Sequence, residues 1–140
     1  MTPRPQRRLI RLAGTPASPA PYSAVAAAGD LVWTSGALPI EADGSTSADF
    51  RTQVRTALAN LEASLRAAGA DWSTVLKISG YVADINALTA MNEVYAEVVL
   101  PHGAPARTTV EVSGFRGKTL VEFDAVALRT ADAEAEEGER

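Results

Sequence analysis

The amino-acid sequence predicts an α+β fold in which two long helices cover one face of a mixed or antiparallel sheet. Three observations predict it. Apolar residues recur at helical spacing in two separate stretches, and short β-branched and aromatic runs bounded by Gly and Pro lie on either side of them. The last of those runs alternates acids with apolar residues, so one sheet face is left for the helices to cover. A chain of 140 residues fits one domain with one core. We expect that domain to span residues 1–130 and residues 131–140 to form a disordered acidic tail.

The elements follow in order. Residues 6–13 read as a first strand, followed by a Pro/Ala/Ser loop through Pro21. Residues 24–28 and 31–35 flank Gly29-Asp30 and read as a hairpin, which Gly36 and Pro39 bring to an end. The clearest helix carries Phe50, Val54, Leu58, Leu61 and Leu65 on one stripe. Residues 45–47 offer hydroxyls for its N-cap, Asp49 falls in its first turn, and Gly69 suits its C′ position. Residues 75–82 read as a strand. Asp84 can cap a second helix with Leu88, Met91, Tyr95 and Val98 on one face, broken by Pro101 and Pro105. Two last strands, 107–112 and 120–128, are separated by the turn-rich segment 113–118. In the last, Glu122 and Asp124 share a face; such a face fits a wet cavity between subunits better than a dry core.

Charge narrows the partners. The formal net charge is −4, and the last ten residues hold five acids against Arg140, so residues 1–130 sum to zero. A nucleic-acid-binding protein normally carries a basic stripe, and nothing of that kind is visible beyond Arg4, Arg7, Arg8 and Arg11. Arg11 cuts off Leu9-Ile10 before any apolar signal region can form, and no apolar run nears the roughly 20 residues of a spanning helix. We therefore expect a cytoplasmic protein without a membrane segment. The absence of cysteine excludes disulfides, thiol nucleophiles and thiolate metal sites.

Generic site motifs are missing. His102 is the single histidine and lies in a Pro/Gly-bounded loop, where a surface role is the ordinary one. One local feature stands out: Arg107 follows Pro105-Ala106 and opens a strand. A guanidinium held there can grip a carboxylate through two parallel hydrogen bonds, or it can serve a surface ion pair.

Several segments together resemble the Rid/YjgF family, whose members include imine deaminases and proteins described as L-PSP endoribonucleases. They are Pro21-Tyr22-Ser23, Val32-Trp33-Thr34-Ser35-Gly36, Ala67-Ala68-Gly69-Ala70, Val75-Leu76-Lys77 and Met91-Asn92-Glu93-Val94-Tyr95. The run from Pro105 through Arg107 to Val112 is the most specific, and the run from Val121 to Ala127 completes the set. The resemblance covers residues 22–129.

The resemblance implies a chorismate-mutase-like fold, a homotrimer whose sheets line a central barrel, and sites between neighbouring subunits. It implies hydrolysis of reactive 2-imino or enamine acids to 2-oxo acids and ammonia, with no metal or organic cofactor. Arg107 looks like the carboxylate-binding arginine and Glu122 like the acid associated with the catalytic water. Tyr22, Ser35, Gly36 and Asn92 match residues lining the ligand cleft, and Thr109 stands where the imine deaminases often have cysteine. Ala20 and Ala37 also depart from the family's usual glycine and glutamine, which bears on the preferred substrate. Two other readings remain open at this point: an endoribonuclease or translation inhibitor, and a non-catalytic module that binds small metabolites. Each residue also has a plainer reading. Tyr22 can be a core or interface aromatic, Ser35-Gly36 a strand end, Asn92 a helix-surface amide, and Glu122 a paired interface acid.

Overall fold

The computed structural model describes residues 2–12 and 20–130. The strands are β1 (Arg8–Ile10), β2 (Val25–Ala28), β3 (Leu31–Thr34), β4 (Val75–Val82), β5 (Ala106–Glu111) and β6 (Val121–Leu128), and the helices are α1 (Phe50–Ala67) and α2 (Leu88–Val98). The expected element order holds throughout. Of the first expected strand, 6–13, only three residues pair, and Ala13 lies outside the described residues, as does the acidic segment 131–140.

The six strands form one sheet in the order β1-β2-β3-β6-β4-β5. Every neighbouring pair is antiparallel except β4 and β5, so the sheet is mixed. The parallel pair needs a crossover, and α2 supplies it. Between β2 and β3 the chain turns at Gly29, whose φ of +58° is a conformation that glycine adopts without steric cost.

Helix α1 forms where the apolar stripe predicts, but its start differs in detail from expectation. Asp49 is the N-cap itself: its carboxylate accepts from the Thr52 backbone N–H at 2.9 Å and from the Thr52 hydroxyl. Ser47 sits one step further out, its hydroxyl accepting from the Asp49 N–H. A short carboxylate two bonds from the backbone reaches the orphan N–H groups more directly than the serines upstream can. The other end closes as the glycine predicts. Gly69, at φ +82°, donates to the Arg66 carbonyl while Ala70 donates to Leu65, which satisfies two terminal carbonyls.

Val54, Leu58, Leu61 and Leu65 are fully buried and pack with Met91, Val94 and Tyr95 of α2 on Val32, Ile78, Val82, Val121 and Phe123 of the sheet. Each fully buried side chain of this size stabilises the fold by roughly 1.5–3 kcal/mol relative to exposure. Gln53 lies fully buried on the same stripe. Its amide donates to the Ser47 and Lys118 carbonyls and accepts from the Leu120 N–H, so no polar atom is left bare and the loop leading into β6 is pinned.

Both helices lie on one face. On the other, cross-strand neighbours Leu9, Ala26, Trp33 and Val126 form a row that runs from β1 to β6. Trp33 is 45% exposed there, and Leu31 and Leu128 face each other beside it.

Candidate functional site

The sequence-predicted site residues fall into two groups on opposite faces of the sheet. Strand register decides this. Arg107 pairs with Ile78 and Thr109 with Gly80, and Ile78 is buried under the helices. Glu122 pairs with Tyr81 and Asp124 with Ser79, on the uncovered face. Side chains alternate along a strand and cross-strand partners share a face, so the Arg107 and Glu122 side chains leave the sheet in opposite directions.

The first group gathers at edge strand β5 and helix α2. The Arg107 guanidinium carbon lies over the Tyr95 ring, 4.7 Å from its centroid. Tyr95 is only 6% exposed and meets Phe123 with ring centroids 6.4 Å apart. No carboxylate among the described residues pairs with Arg107. Asn92 is exposed on α2 three residues before Tyr95, a spacing that makes the two neighbours on the helix surface. The Tyr95 and Thr109 hydroxyls are both buried without a hydrogen-bond partner among the described residues. Burial pushes the Tyr95 hydroxyl pKa up, while the nearby guanidinium opposes that shift.

The second group lies on the uncovered face. Glu122 packs against Gly36 so closely that a Cβ placed on that glycine would stand 1.7 Å from Oε2. Gly36 is thus the residue that leaves space for the carboxylate. Burial raises the Glu122 pKa above the ordinary range, and the charge of Asp124 on the same face adds to the rise. The Tyr81 hydroxyl donates to Asp124 Oδ2 at 2.8 Å, which raises the tyrosine's own pKa.

Ser35 continues β3 toward Gly36. Its hydroxyl donates to the Ser23 carbonyl at 2.6 Å, and its N–H donates to Ala24. These bonds tie down the segment that carries Tyr22. Ser35 and Tyr22 line a hollow of about 580 Å³ together with Arg7, Leu9, Pro21 and Trp33. Tyr22 is 67% exposed, so it is not a core aromatic.

Tyr81, Asp124 and Tyr95 are the additions that the structure makes to the expected set. The alternation of residues 75–82 and 121–126 could have revealed the first two as a pair, since both fall on the open face. No local signal pairs Tyr95 with Arg107, because the contact joins α2 to β5. His102 ends a single 3-10 turn at residues 100–102. Among the described residues, no group of three or more His, Cys, Asp or Glu could hold a metal ion. No helix among them is long and apolar enough to cross a membrane.

Comparison with known proteins places this arrangement. Residues 13–129 match the family described as Endoribonuclease L-PSP. A RutC family protein of Pyrococcus horikoshii is 37% identical over 111 residues, covering 78% of this chain and 87% of that one. The 2-iminobutanoate/2-iminopropanoate deaminase of Salmonella typhimurium is 31% identical over 125 residues, covering 87% of this chain and 98% of the relative. Among solved structures, Escherichia coli TdcF with bound serine superposes with a TM-score of 0.80 at 29% identity, covering 88% of this chain and 99% of that one. The match spans nearly all the described residues, both groups of candidate side chains included, and the chain belongs to the Rid/YjgF family, the family described as Endoribonuclease L-PSP.

Proposed function

We propose that the protein is a cytoplasmic hydrolytic deaminase that converts reactive 2-imino and enamine acids to 2-oxo acids and ammonia. In this reading it works as a homotrimer of chorismate-mutase-like subunits, with its sites between neighbours. The observation that carries the proposal is the division of the candidate residues between two faces of one sheet. Neither face alone offers both a carboxylate clamp and a base, whereas a second copy laid on the open face brings Arg107 of one chain toward Glu122 of the next. The exposed side chains of Leu9, Trp33 and Leu128 support such burial, since apolar surface of this kind is stabilised when another copy removes it from water. A relative named as an iminobutanoate deaminase and a neighbour holding serine, which bears a carboxylate beside an amine, agree with this substrate class.

The chemistry follows from the groups. Arg107 grips the substrate carboxylate through its planar fork and fixes the adjacent C=N carbon. Glu122 takes a proton from water as the water oxygen bonds to that carbon and passes it to the nitrogen, giving a neutral carbinolamine. Glu122 then takes the carbinolamine hydroxyl proton and delivers it to the nitrogen as the C–N bond breaks, leaving the ketone and ammonia. A raised pKa suits this exchange, because a base whose pKa lies nearer neutrality both accepts and returns a proton readily. Tyr22, Ser35, Asn92 and the Thr109 backbone line the cleft around the leaving amine, and Gly36 leaves room for the base. A bound enamine first takes a proton at carbon and gives one up at nitrogen, which makes it the imine.

The family description itself names a ribonuclease. A cleft that attracts a polyanion needs a basic lining, and residues 1–130 carry no net charge. Ammonia release from freshly generated 2-iminopropanoate tests the proposal directly: turnover supports it. Binding of 2-oxo acids without turnover would leave only a metabolite-binding module, and a monomer at micromolar concentration in sedimentation would refute the shared site.

A further inference from the structure

We infer that Tyr95 is the positioning residue of Arg107, and that its ring face, not its hydroxyl, sets the plane of the guanidinium fork. The inference rests on the carboxylate-clamp reading of Arg107 given above. Arginine has several rotatable bonds, and an edge-strand arginine with no carboxylate partner among the described residues would ordinarily sample many orientations. Here the guanidinium carbon lies 4.7 Å from the Tyr95 ring centroid, within the range of a cation–π contact. The ring is itself fixed: Tyr95 is 6% exposed, sits on α2 between Met91 and Val99, both fully buried, and leans on Phe123. A fork held over the face of an immobile ring has fewer orientations open to it, and its N–H groups are left to meet a carboxylate.

The hydroxyl has no part in this. It is buried and makes no hydrogen bond among the described residues, so it neither braces α2 nor anchors the arginine. Removing it should cost the site nothing. Replacing the ring by an aliphatic chain should free the guanidinium while leaving its charge in place. The signature is therefore a loss of carboxylate affinity that phenylalanine rescues, distinct from a general loss of stability.

The test is calorimetric binding of 2-oxobutanoate to the full-length protein and its variants, each below its own melting transition. Tyr95→Phe should bind within about twofold of wild type, whereas Tyr95→Leu and Tyr95→Met should bind about tenfold more weakly, the size of a lost cation–π contact. Methionine is included because its flexible chain refills the space that leucine leaves. KM for the imine should rise with Kd while kcat changes less. The wild-type protein offers a readout that needs no Tyr95 variant. Ring current over Tyr95 should move the Arg107 Hε resonance upfield, with the assignment made by its disappearance in Arg107→Ala. An Hε signal at its ordinary position, equal affinity in Tyr95→Leu or Tyr95→Met, or a loss in Tyr95→Phe as large as theirs would overturn the inference. Failure of the underlying reading looks different: Arg107→Ala itself would then bind 2-oxobutanoate like wild type.

Discussion

The two faces of the sheet are built from the same strands under different rules. Under the helices, β6 presents Val121, Phe123, Ala125 and Ala127, all buried, and Gln53, the fully buried polar side chain of α1, has its amide fully bonded. On the open face the same strand presents Glu122 and Asp124 beside Tyr81, with the exposed Trp33 and Leu128 flanking them. One face is complete within the chain. The other mixes carboxylates with apolar surface, a combination that an isolated subunit has no use for. What the contrast teaches is that the covered face serves the fold, and that under the proposed function the site is divided: Arg107 lies on the covered side of edge strand β5 and Glu122 on the open face.

The largest expected effect breaks that division directly. Glu122→Gln and Arg107→Ala should each lower kcat/KM by about 10²–10⁴-fold, the usual span for removing an acid–base group or a positioning clamp. Arg107→Lys should be badly impaired too, since lysine keeps the charge and loses the fork. Mixing the two inactive variants is the sharper experiment. If each site takes Arg107 from one subunit and Glu122 from its neighbour, random reassembly should restore about a quarter of wild-type activity, because two independent choices must both be favourable. Mixed chains that stay inactive although they exchange subunits would place both residues in one chain's site and end the comparison.

A smaller loss is expected at Gly36. Its hypothetical Cβ meets only the end of the Glu122 side chain, Oε2 at 1.7 Å and Cδ at 2.7 Å, and that flexible end can swing aside. Gly36→Ala should therefore leave the melting temperature within about a degree of wild type, while the displaced carboxylate lowers kcat by about 100-fold, as misplacement by roughly an ångström can. Equal losses of stability and activity would show that the glycine serves the backbone and not the base.

Much of this was legible in the sequence, and the residues that were not have a common cause. The stripe from Phe50 to Leu65, the Gly69 terminus and the alternation in residues 121–126 are local patterns, and local patterns translate directly into faces. Gln53 sits on the α1 stripe, where periodicity reads a glutamine as an interruption. The carbonyls of Ser47 and Lys118, the latter 65 residues away, and the Leu120 N–H explain its burial. The stacking of Arg107 on Tyr95 and the contact of Glu122 with Gly36 are likewise tertiary. Arg107 and Glu122 themselves could be named by resemblance alone. That they face opposite ways follows from the β4 register, which pairs Arg107 with Ile78 and Glu122 with Tyr81, on opposite faces of that strand.

The third effect concerns stability and runs against function. Burial raises the folded-state pKa of Glu122, so the folded protein holds its ionised form less comfortably than the unfolded chain does. The cost is present in full above the folded-state pKa. It is relieved as pH falls through that value, because the folded state then takes up the proton first. Glu122→Gln removes the charge, so the variant should melt a few degrees higher than wild type at neutral and higher pH, with the gap closing in acid. A lower melting temperature at pH 8 would mean that the ionised carboxylate has a stabilising partner in the assembly.

The smallest effect should come from Asp124, which touches the proposed base only through its field. Asp124 lies two residues from Glu122 on the same face, held by the Tyr81 hydroxyl, and its negative charge contributes to the raised Glu122 pKa after burial has contributed more. Lys77 is the cation on that face of β4, paired in register with Val126, one row beyond Asp124. Asp124→Asn keeps the shape and an acceptor for Tyr81 but removes the like charge, so Glu122 should ionise at lower pH than in wild type. In the proposed mechanism the ionised form is the active one, and the acidic limb of the pH profile of kcat/KM should therefore move toward lower pH. The plateau above it should stay within about twofold of wild type, because the clamp and base remain in place. Since burial is the larger cause, the limb should not return all the way to the position of an unperturbed glutamate. A limb that moves toward higher pH would mean that Asp124 assists ionisation of the base, and a limb that does not move at all would mean that Glu122 is not the group being titrated.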